Sequence, residues 1–118
     1  MPPADVLQIE ARLGAALPDD YRAFLIDYPA DAPDDLRRYG LFEGSAAIVD
    51  ETLVFRRYLT DDATRERYVV IGDIGCGDRV CLDQSTNAVL LWSHVEEDFA
   101  PLANCVADYY RLAITEAT

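Results

Sequence analysis

The spacing of apolar residues at the start of the chain predicts a helix over residues 5–13. Val6, Ile9 and Leu13 recur at intervals of three and four, which places them on one face of a helix. Asp5 is a suitable N-cap, and Gly14 follows the last apolar position, where glycine commonly ends a helix. The sequence therefore predicts a first helix with one buried stripe.

A second helix is predicted to begin in the segment Leu17-Pro18-Asp19-Asp20. Carboxylates at this position accept hydrogen bonds from unpaired N–H groups and favour the positive end of the helix dipole. Pro29 ends the helix, because the residue before a proline is displaced from helical geometry. The predicted apolar stripe has the spacing i, i+3, i+4 and i+7 and consists of Tyr21, Phe24, Leu25 and Tyr28.

The middle of the chain is less regular. Residues 30–44 are rich in turn-forming and acidic residues, and residues 46–49 form a short apolar run that predicts a strand. Asp50 and Glu51 then suit a helix start, which predicts a helix that continues to Leu59. A strand over residues 53–55 is the alternative for this segment.

After residue 67 the hydrophobic period changes from helical to alternating. Three apolar, β-branched segments, residues 68–71, 79–82 and 88–92, are separated by turns at 72–77 and 84–87. Short connections of this kind predict an antiparallel meander. Asp98 is then predicted to cap a closing helix whose inward stripe consists of Phe99, Leu102, Val106, Tyr109 and Ala113.

Together these elements predict an α+β fold. One domain over residues 1–118 would contain an antiparallel sheet with a C-terminal three-strand meander, packed by the two N-terminal helices and the C-terminal helix. The pattern contains no internal repeat and no linker long enough to separate two domains.

Charge narrows the classes of partner. The 118 residues contain 22 acids against 10 arginines and no lysine, for a formal net charge of −12. Nucleic acid and anionic membranes are poor direct partners for such a chain, because both are bound by clustered cations. The excess of acidic residues lies in the N-terminal and C-terminal parts of the chain, because residues 37–67 carry six acids and six arginines. A basic protein is the natural complement.

The N-terminal residues lack the charged and apolar segments of a secretory signal, and the apolar runs are too short for a membrane helix. The cysteine count of three is odd. Free thiols in a reducing cytoplasm are therefore expected.

No motif predicts catalysis, a metal or a cofactor. Cys76, Cys81, Cys105 and His94 lack the paired knuckles of a zinc site, so buried thiols are the better interpretation. The glycine-rich segment 72–77 leads into a strand rather than a helix, which favours a tight turn over a phosphate site. We therefore expect no enzyme activity and no cofactor.

An arginine-rich segment with interleaved aromatic residues faintly suggests nucleic-acid stacking. The six acids of the same segment neutralise it, and a mixed-charge surface is the better interpretation. The arginines and aromatics are Arg37, Arg38, Tyr39, Phe55, Arg56, Arg57, Tyr58, Arg65, Arg67 and Tyr68.

Several motifs, in this order, resemble a known family. They are Ile9-Glu10-Ala11-Arg12-Leu13-Gly14, Leu17-Pro18-Asp19-Asp20-Tyr21-Arg22-Ala23-Phe24-Leu25, Ile71-Gly72, Gly75-Cys76-Gly77-Asp78, Cys81-Leu82-Asp83 and, further on, Phe99. The chain resembles the SUKH superfamily, which groups bacterial toxin-immunity proteins with yeast cell-wall synthesis regulators. The resemblance implies a protein-binding module without catalytic residues.

The resemblance and the charge lead to one functional prediction. The chain is expected to be a cytoplasmic immunity protein that binds a cognate toxin domain, such as a basic nuclease, and occludes its active site. The alternative is an endogenous regulatory module of the same fold that binds a host protein. The predicted contact residues are two acidic groups and two aromatic anchors, namely Asp31, Asp34, Asp35, Tyr39, Glu96, Glu97, Asp98 and Tyr110.

Overall fold

The computed structural model describes residues 1–27, 40–42, 44–59, 66–75 and 77–117, and in these ranges the chain is α+β. The helices are α1 (Pro3–Leu13), α2 (Asp19–Asp27), α3 (Ser45–Arg56) and α4 (Val106–Ala117). The strands are β1 (Tyr68–Gly75), β2 (Asp78–Asp83), β3 (Val89–Ser93) and β4 (Asp98–Ala103), in one antiparallel sheet of order β1-β2-β3-β4. The predicted fold class, an antiparallel sheet packed by helices, is confirmed.

The first two helices follow the apolar pattern closely. Val6 and Ile9 are buried on α1, and Gly14 ends this helix in the left-handed conformation, with φ of +76°. Its N–H donates to the Glu10 carbonyl at 2.9 Å. The carboxylate of Glu10 then accepts from the Leu17 N–H at 2.7 Å and from the Arg22 guanidinium, which fixes the start of α2 against α1.

Residues on the two faces of the sheet belong to two apolar clusters. The larger cluster takes Val69, Ile71 and Val80 from the strands and receives side chains from all four helices. The second cluster contains Val70 and Cys81 from the alternate strand positions, because successive side chains of a strand point to opposite faces. Its aromatic members are Phe55, Tyr68 and Trp92, with Phe99 packed against them.

The β1 edge of the sheet is covered by the chain itself. The Val70 N–H donates to the hydroxyl of Thr52 on α3 at 2.9 Å, and the Phe42 N–H donates to the Ile71 carbonyl at 2.9 Å. Gly72 makes this close approach possible, since a Cβ there would lie 1.7 Å from the carbonyl oxygen of Gly40. The residues at 40–42 therefore pack directly on β1.

The other edge, β4, lacks two strand donors. The Phe99 N–H donates to the side chain of Asp98 at 2.8 Å, and Pro101 has no N–H to offer. Proline and engaged amides are common ways in which an edge strand resists pairing with another chain. Strand addition is therefore disfavoured along this edge.

The strand predicted at residues 46–49 is wrong, because these residues form the first turns of α3. The buried residues Ile48, Val49, Thr52 and Phe55 follow a helical spacing that continues past the short apolar run. A run of four apolar residues does not distinguish a strand from a buried helix segment, and here the longer pattern decides. The helix expected over residues 51–59 is present to Arg56, and the alternative strand over 53–55 is wrong.

The helix start predicted at Asp98 is also wrong, since Asp98–Ala103 is β4 and α4 begins at Val106. The sheet thus has a fourth meander strand, and the first strand continues to Gly75 rather than ending at residue 71. Pro101 is tolerated both in the first turn of a helix and on an edge strand, so it did not separate the two possibilities. Pairing with β3 decides in favour of the strand.

Candidate partner-binding surface

The structure places three of the predicted contact residues together. Glu96 and Glu97 lie in the turn between β3 and β4, Asp98 is the first residue of β4, and all three are exposed. Tyr110 lies half-buried on α4, where its ring meets that of Phe24 edge to face at 5.6 Å. An aromatic anchor is expected to be exposed, and Tyr110 is only partly so. The remaining predicted contacts, Asp31, Asp34, Asp35 and Tyr39, lie outside the described residues.

Two hairpins meet beside the acidic turn. Asp78, at the start of β2, accepts a hydrogen bond from the His94 N–H at 3.0 Å, and its Oδ1 lies 2.7 Å from His94 Nδ1. The His94 ring also packs on Gly77, where an added Cβ would lie 3.2 Å from the ring. We call residues 77–78 and 94–98 the tip surface, because they occupy the same end of the sheet.

The sequence does not predict the Asp78–His94 pair, since the pattern offers His94 only as a possible zinc ligand beside the cysteines or as a lone histidine before the carboxylates that follow it. The register of β2 and β3 is what brings these two residues together. Arg79 pairs with Trp92 across the β2–β3 hairpin, so the residues just beyond this pair, Asp78 and His94, come into reach of each other. The hydrogen bonds from His94 lower the pKa of the Asp78 carboxyl. Asp78 is thereby favoured as an anion.

The backbone of the β3–β4 turn is held internally. The Glu97 N–H donates to the Ser93 carbonyl at 2.7 Å, and the Glu96 N–H donates to the Ser93 hydroxyl at 3.3 Å. Glu97 adopts the left-handed conformation, with φ of +53°. Glycine and asparagine are the usual residues in this conformation, and asparagine occupies the equivalent left-handed position of the β2–β3 turn, at Asn87.

Arg79 is the cation next to the tip surface, and it is held by aromatic rings. Its guanidinium carbon lies 5.4 Å from the ring centroids of Phe55 and Tyr58 and 5.6 Å from that of Trp92. One of its terminal nitrogens donates to the Gly77 carbonyl at 3.4 Å. Arg79 therefore ties α3 to β2 and β3 through cation–π contacts.

The described residues of the arginine-rich segment do not form a stacking surface. Phe55 and Tyr68 are buried, which removes them from contact with a base. Arg67 is engaged with Asp83 through Nε and Nη2, at 2.7–2.9 Å. Within the described ranges, Tyr58 is the exposed aromatic residue of this set, at 63%.

Asp83 is a buried carboxylate with a structural role. Besides Arg67 it accepts from the Ser85 N–H at 2.9 Å and the Ser85 hydroxyl at 2.7 Å. Burial alone would raise the pKa of Asp83, but the hydrogen bonds from Arg67 and Ser85 outweigh it and lower the pKa to about 2. This cluster fixes the turn between β2 and β3.

The two described cysteines, Cys81 and Cys105, are not assembled into a site. Cys81 is fully buried on β2, and burial raises the pKa of its thiol to about 12. Cys105 is half-buried and lies just before α4, and Cys76 lies outside the described residues. Within the described ranges, no three histidine, cysteine or carboxylate side chains come together as metal ligands.

A cavity of about 570 Å³ lies between β4 and α4. Its polar rim carries Asp108, whose carboxylate is 3.5 Å from the Arg111 guanidinium. The arrangement offers an ion pair beside apolar walls rather than a nucleophile with a base. The lining residues are Ala88, Pro101, Leu102, Ala103, Asn104, Asp108, Arg111 and Leu112.

In the part of the chain that the structure describes, each helix is too short or too polar to cross a membrane. A search of curated proteins finds no match to the chain. A comparison with protein families finds one that matches residues 2–111, the SMI1 / KNR4 family (SUKH-1). The match includes every described strand and the first half of α4, and on this basis the chain belongs to the SMI1 / KNR4 family (SUKH-1).

Proposed function

We propose that this chain is a cytoplasmic immunity protein that binds a cognate bacterial toxin domain and occludes its active site. Membership of the SUKH family supports a protein-binding role, because the family includes toxin-immunity proteins and is not known for enzymes. The observation that carries the proposal is the tip surface, where Glu96, Glu97 and Asp98 are exposed on an internally bonded turn.

Electrostatics indicates which toxins fit. A nuclease must present cations to phosphate groups, so an acidic inhibitor can occupy the same surface. A net charge of −12 attracts such a domain over a distance of about 8–10 Å at physiological salt and accelerates encounter by about tenfold to a thousandfold. The carboxylates Asp31, Asp34 and Asp35 remain predicted contacts of the same kind.

Contact through side chains is favoured over strand addition. The β1 edge is covered by Thr52 and Phe42, and the β4 edge lacks the donors of Phe99 and Pro101. A partner that approaches the end of the sheet meets exposed turn side chains instead. Occlusion of a cationic cleft by a protruding acidic turn is consistent with this geometry.

The proposal predicts that a toxin domain is encoded beside this chain's gene, and coexpression with that domain is the test. Bacterial cells that express the toxin should survive when this chain is present and die when it is absent. Equal killing in both cases would reject the immunity role and favour the alternative, a regulatory module that binds a host protein.

A charge reversal tests the place of contact. Glu96→Lys should lower the association rate with the toxin domain by about tenfold at low salt, because it removes attraction at the tip surface. Asp27→Lys is the matched control: it makes the same charge change at an exposed position in the last turn of α2, where a cation suits the helix dipole. Equal rates for both variants would place the contact elsewhere.

A further inference from the structure

The β3–β4 turn exposes an apolar side chain. Val95 is exposed by 77%, more than any other large apolar residue in the described ranges. It lies between His94 and Glu96, so the same turn carries carboxylates and an uncovered hydrocarbon surface. A single exposed valine is ordinary in itself, and its meaning depends on how it is held and on what surrounds it.

The turn that carries Val95 is anchored on both sides. Ser93 accepts hydrogen bonds from the N–H groups of Glu96 and Glu97, and Asp78 accepts the His94 N–H at 3.0 Å. These bonds hold the backbone before and after Val95 and connect it to the neighbouring β1–β2 hairpin. Binding at a turn already ordered in this way loses little conformational entropy.

Apart from His94, the charged residues of the tip surface are all carboxylates. Asp78, Glu96, Glu97 and Asp98 belong to the same tip surface, and the adjacent Arg79 is stacked against Phe55, Tyr58 and Trp92. A second copy of this chain is a poor occupant, since it would bring like charges together and has the same net charge of −12. The complementary occupant is cationic.

We propose that Val95 is the apolar anchor of the tip surface and that the partner presents basic side chains around an apolar patch. The inference rests on the proposed function and specifies the chemistry of the partner. The carboxylates accelerate approach, while contact with Val95 slows dissociation, because apolar burial is weakly screened by salt.

Two short peptides serve as probes of this chemistry: acetyl-Lys-Arg-Trp-Arg-Lys-amide and the same peptide with serine in place of tryptophan. Each is titrated into the isotopically labelled chain, and backbone amide shifts report where and how tightly it binds. Wild type should bind the tryptophan peptide about threefold to tenfold more tightly, with the shifts concentrated in residues 77–78 and 94–98.

The same two titrations are repeated with Val95→Ser. This variant should bind both peptides equally, and its circular dichroism spectrum should remain that of wild type. Leu7→Ser is the matched control, since Leu7 is also an exposed apolar residue, at 64%, but lies on α1. It should preserve the preference for tryptophan. A preference that survives in Val95→Ser, or shifts concentrated outside the tip surface, would overturn the inference.

The result is separable from the immunity role. If the neighbouring toxin kills cells regardless of this chain while the peptide preference depends on Val95, the immunity proposal fails and the anchor stands. If coexpression protects cells while the preference is independent of Val95, the anchor fails and the immunity proposal stands.

Discussion

The rings of Tyr68 and Phe99 stack at a centroid distance of 4.4 Å and an interplanar angle of 18°, although they come from the two opposite edge strands of the sheet. Laid flat, three strand spacings of roughly 4.8 Å would by themselves separate the two strands by about 14 Å, and the register places Tyr68 and Phe99 at opposite ends of the sheet. The sheet must therefore curl around this contact. Cys81 and Trp92 lie in the same cluster, and Phe55 contacts Phe99 at 6.3 Å.

We predict that Phe99→Ala lowers the free energy of unfolding by about 2 kcal/mol, less than for a fully buried phenylalanine because Phe99 is half-exposed. A double-mutant cycle with Tyr68→Ala should give a coupling of about 1 kcal/mol for the stacked pair. Urea unfolding measures both values. Strictly additive losses would show that the two rings do not stabilise each other.

The buried Asp83 predicts how stability depends on pH. Its pKa falls from 3.8 to about 2 on folding, so the folded state favours the carboxylate, and the stabilisation is complete above the unfolded pKa. About 2 kcal/mol should be lost as the pH falls from about 5 to about 2. Asp83→Asn should already lack this contribution at pH 7 and show a flatter profile.

Chemical denaturation between pH 2 and pH 7 tests this prediction. Glu96→Gln provides the control, since it removes a carboxylate that is exposed on the tip surface and has no buried partner in the described contacts. Its profile should follow wild type. An Asp83→Asn profile parallel to that of wild type would mean that another group causes the acid sensitivity.

Gly72 and Gly44 should respond very differently to alanine. At Gly72 the new Cβ would lie 1.7 Å from the Gly40 carbonyl oxygen and 3.0 Å from the Leu41 Cα, so residues 40–42 would have to leave β1. At Gly44 φ is −109°, and nothing lies within 4 Å of the added atom. We expect Gly72→Ala to cost at least about 3 kcal/mol and Gly44→Ala less than about 1 kcal/mol.

Thermal unfolding of the two variants provides the measurement. Loss of the Phe42 N–H bond to Ile71 in Gly72→Ala should also appear as faster exchange of that amide. Similar melting temperatures for the two variants would contradict the close packing of residues 40–42 on β1.

The apolar pattern correctly predicted the helices and strands in which the spacing of apolar residues matches the spacing of buried positions. Val69 and Ile71 alternate with Val70 as β1 requires, and Val6 and Ile9 mark the inner face of α1. β4 could not be recognised in this way, because its residues are mostly exposed and its identity depends on pairing with β3. Local sequence carries little information about an edge strand that has no buried face.

The tip surface likewise has one feature that the sequence predicts and another that depends on strand pairing. That Glu96 and Glu97 are exposed could be predicted from their position after an apolar strand. The contact between Asp78 and His94, 16 residues apart, depends on the exact register of β2 and β3. A pattern of residue types does not specify register to one residue unless the turn type is known.

Glu97 provides the last prediction, because its conformation conflicts with its identity. A left-handed conformation costs a residue with a Cβ about 1 kcal/mol, and the β2–β3 turn avoids much of that cost by placing asparagine at Asn87. Glu97→Gly should therefore leave the free energy of unfolding unchanged or raise it by up to about 1 kcal/mol. Glu96→Gly, at a position with negative φ, should lower it by about 0.5 kcal/mol.

Binding should change in the opposite direction for Glu97→Gly. The variant removes a carboxylate from the tip surface, so its association rate with the toxin domain should fall by about twofold to fivefold at low salt, while its stability is retained. Urea unfolding and stopped-flow binding on the same samples separate the two effects. If Glu97→Gly has a lower free energy of unfolding than wild type, the left-handed conformation of Glu97 does not carry the cost assigned to it. An unchanged association rate would mean that Glu97 is tolerated in this conformation without contributing to partner contact.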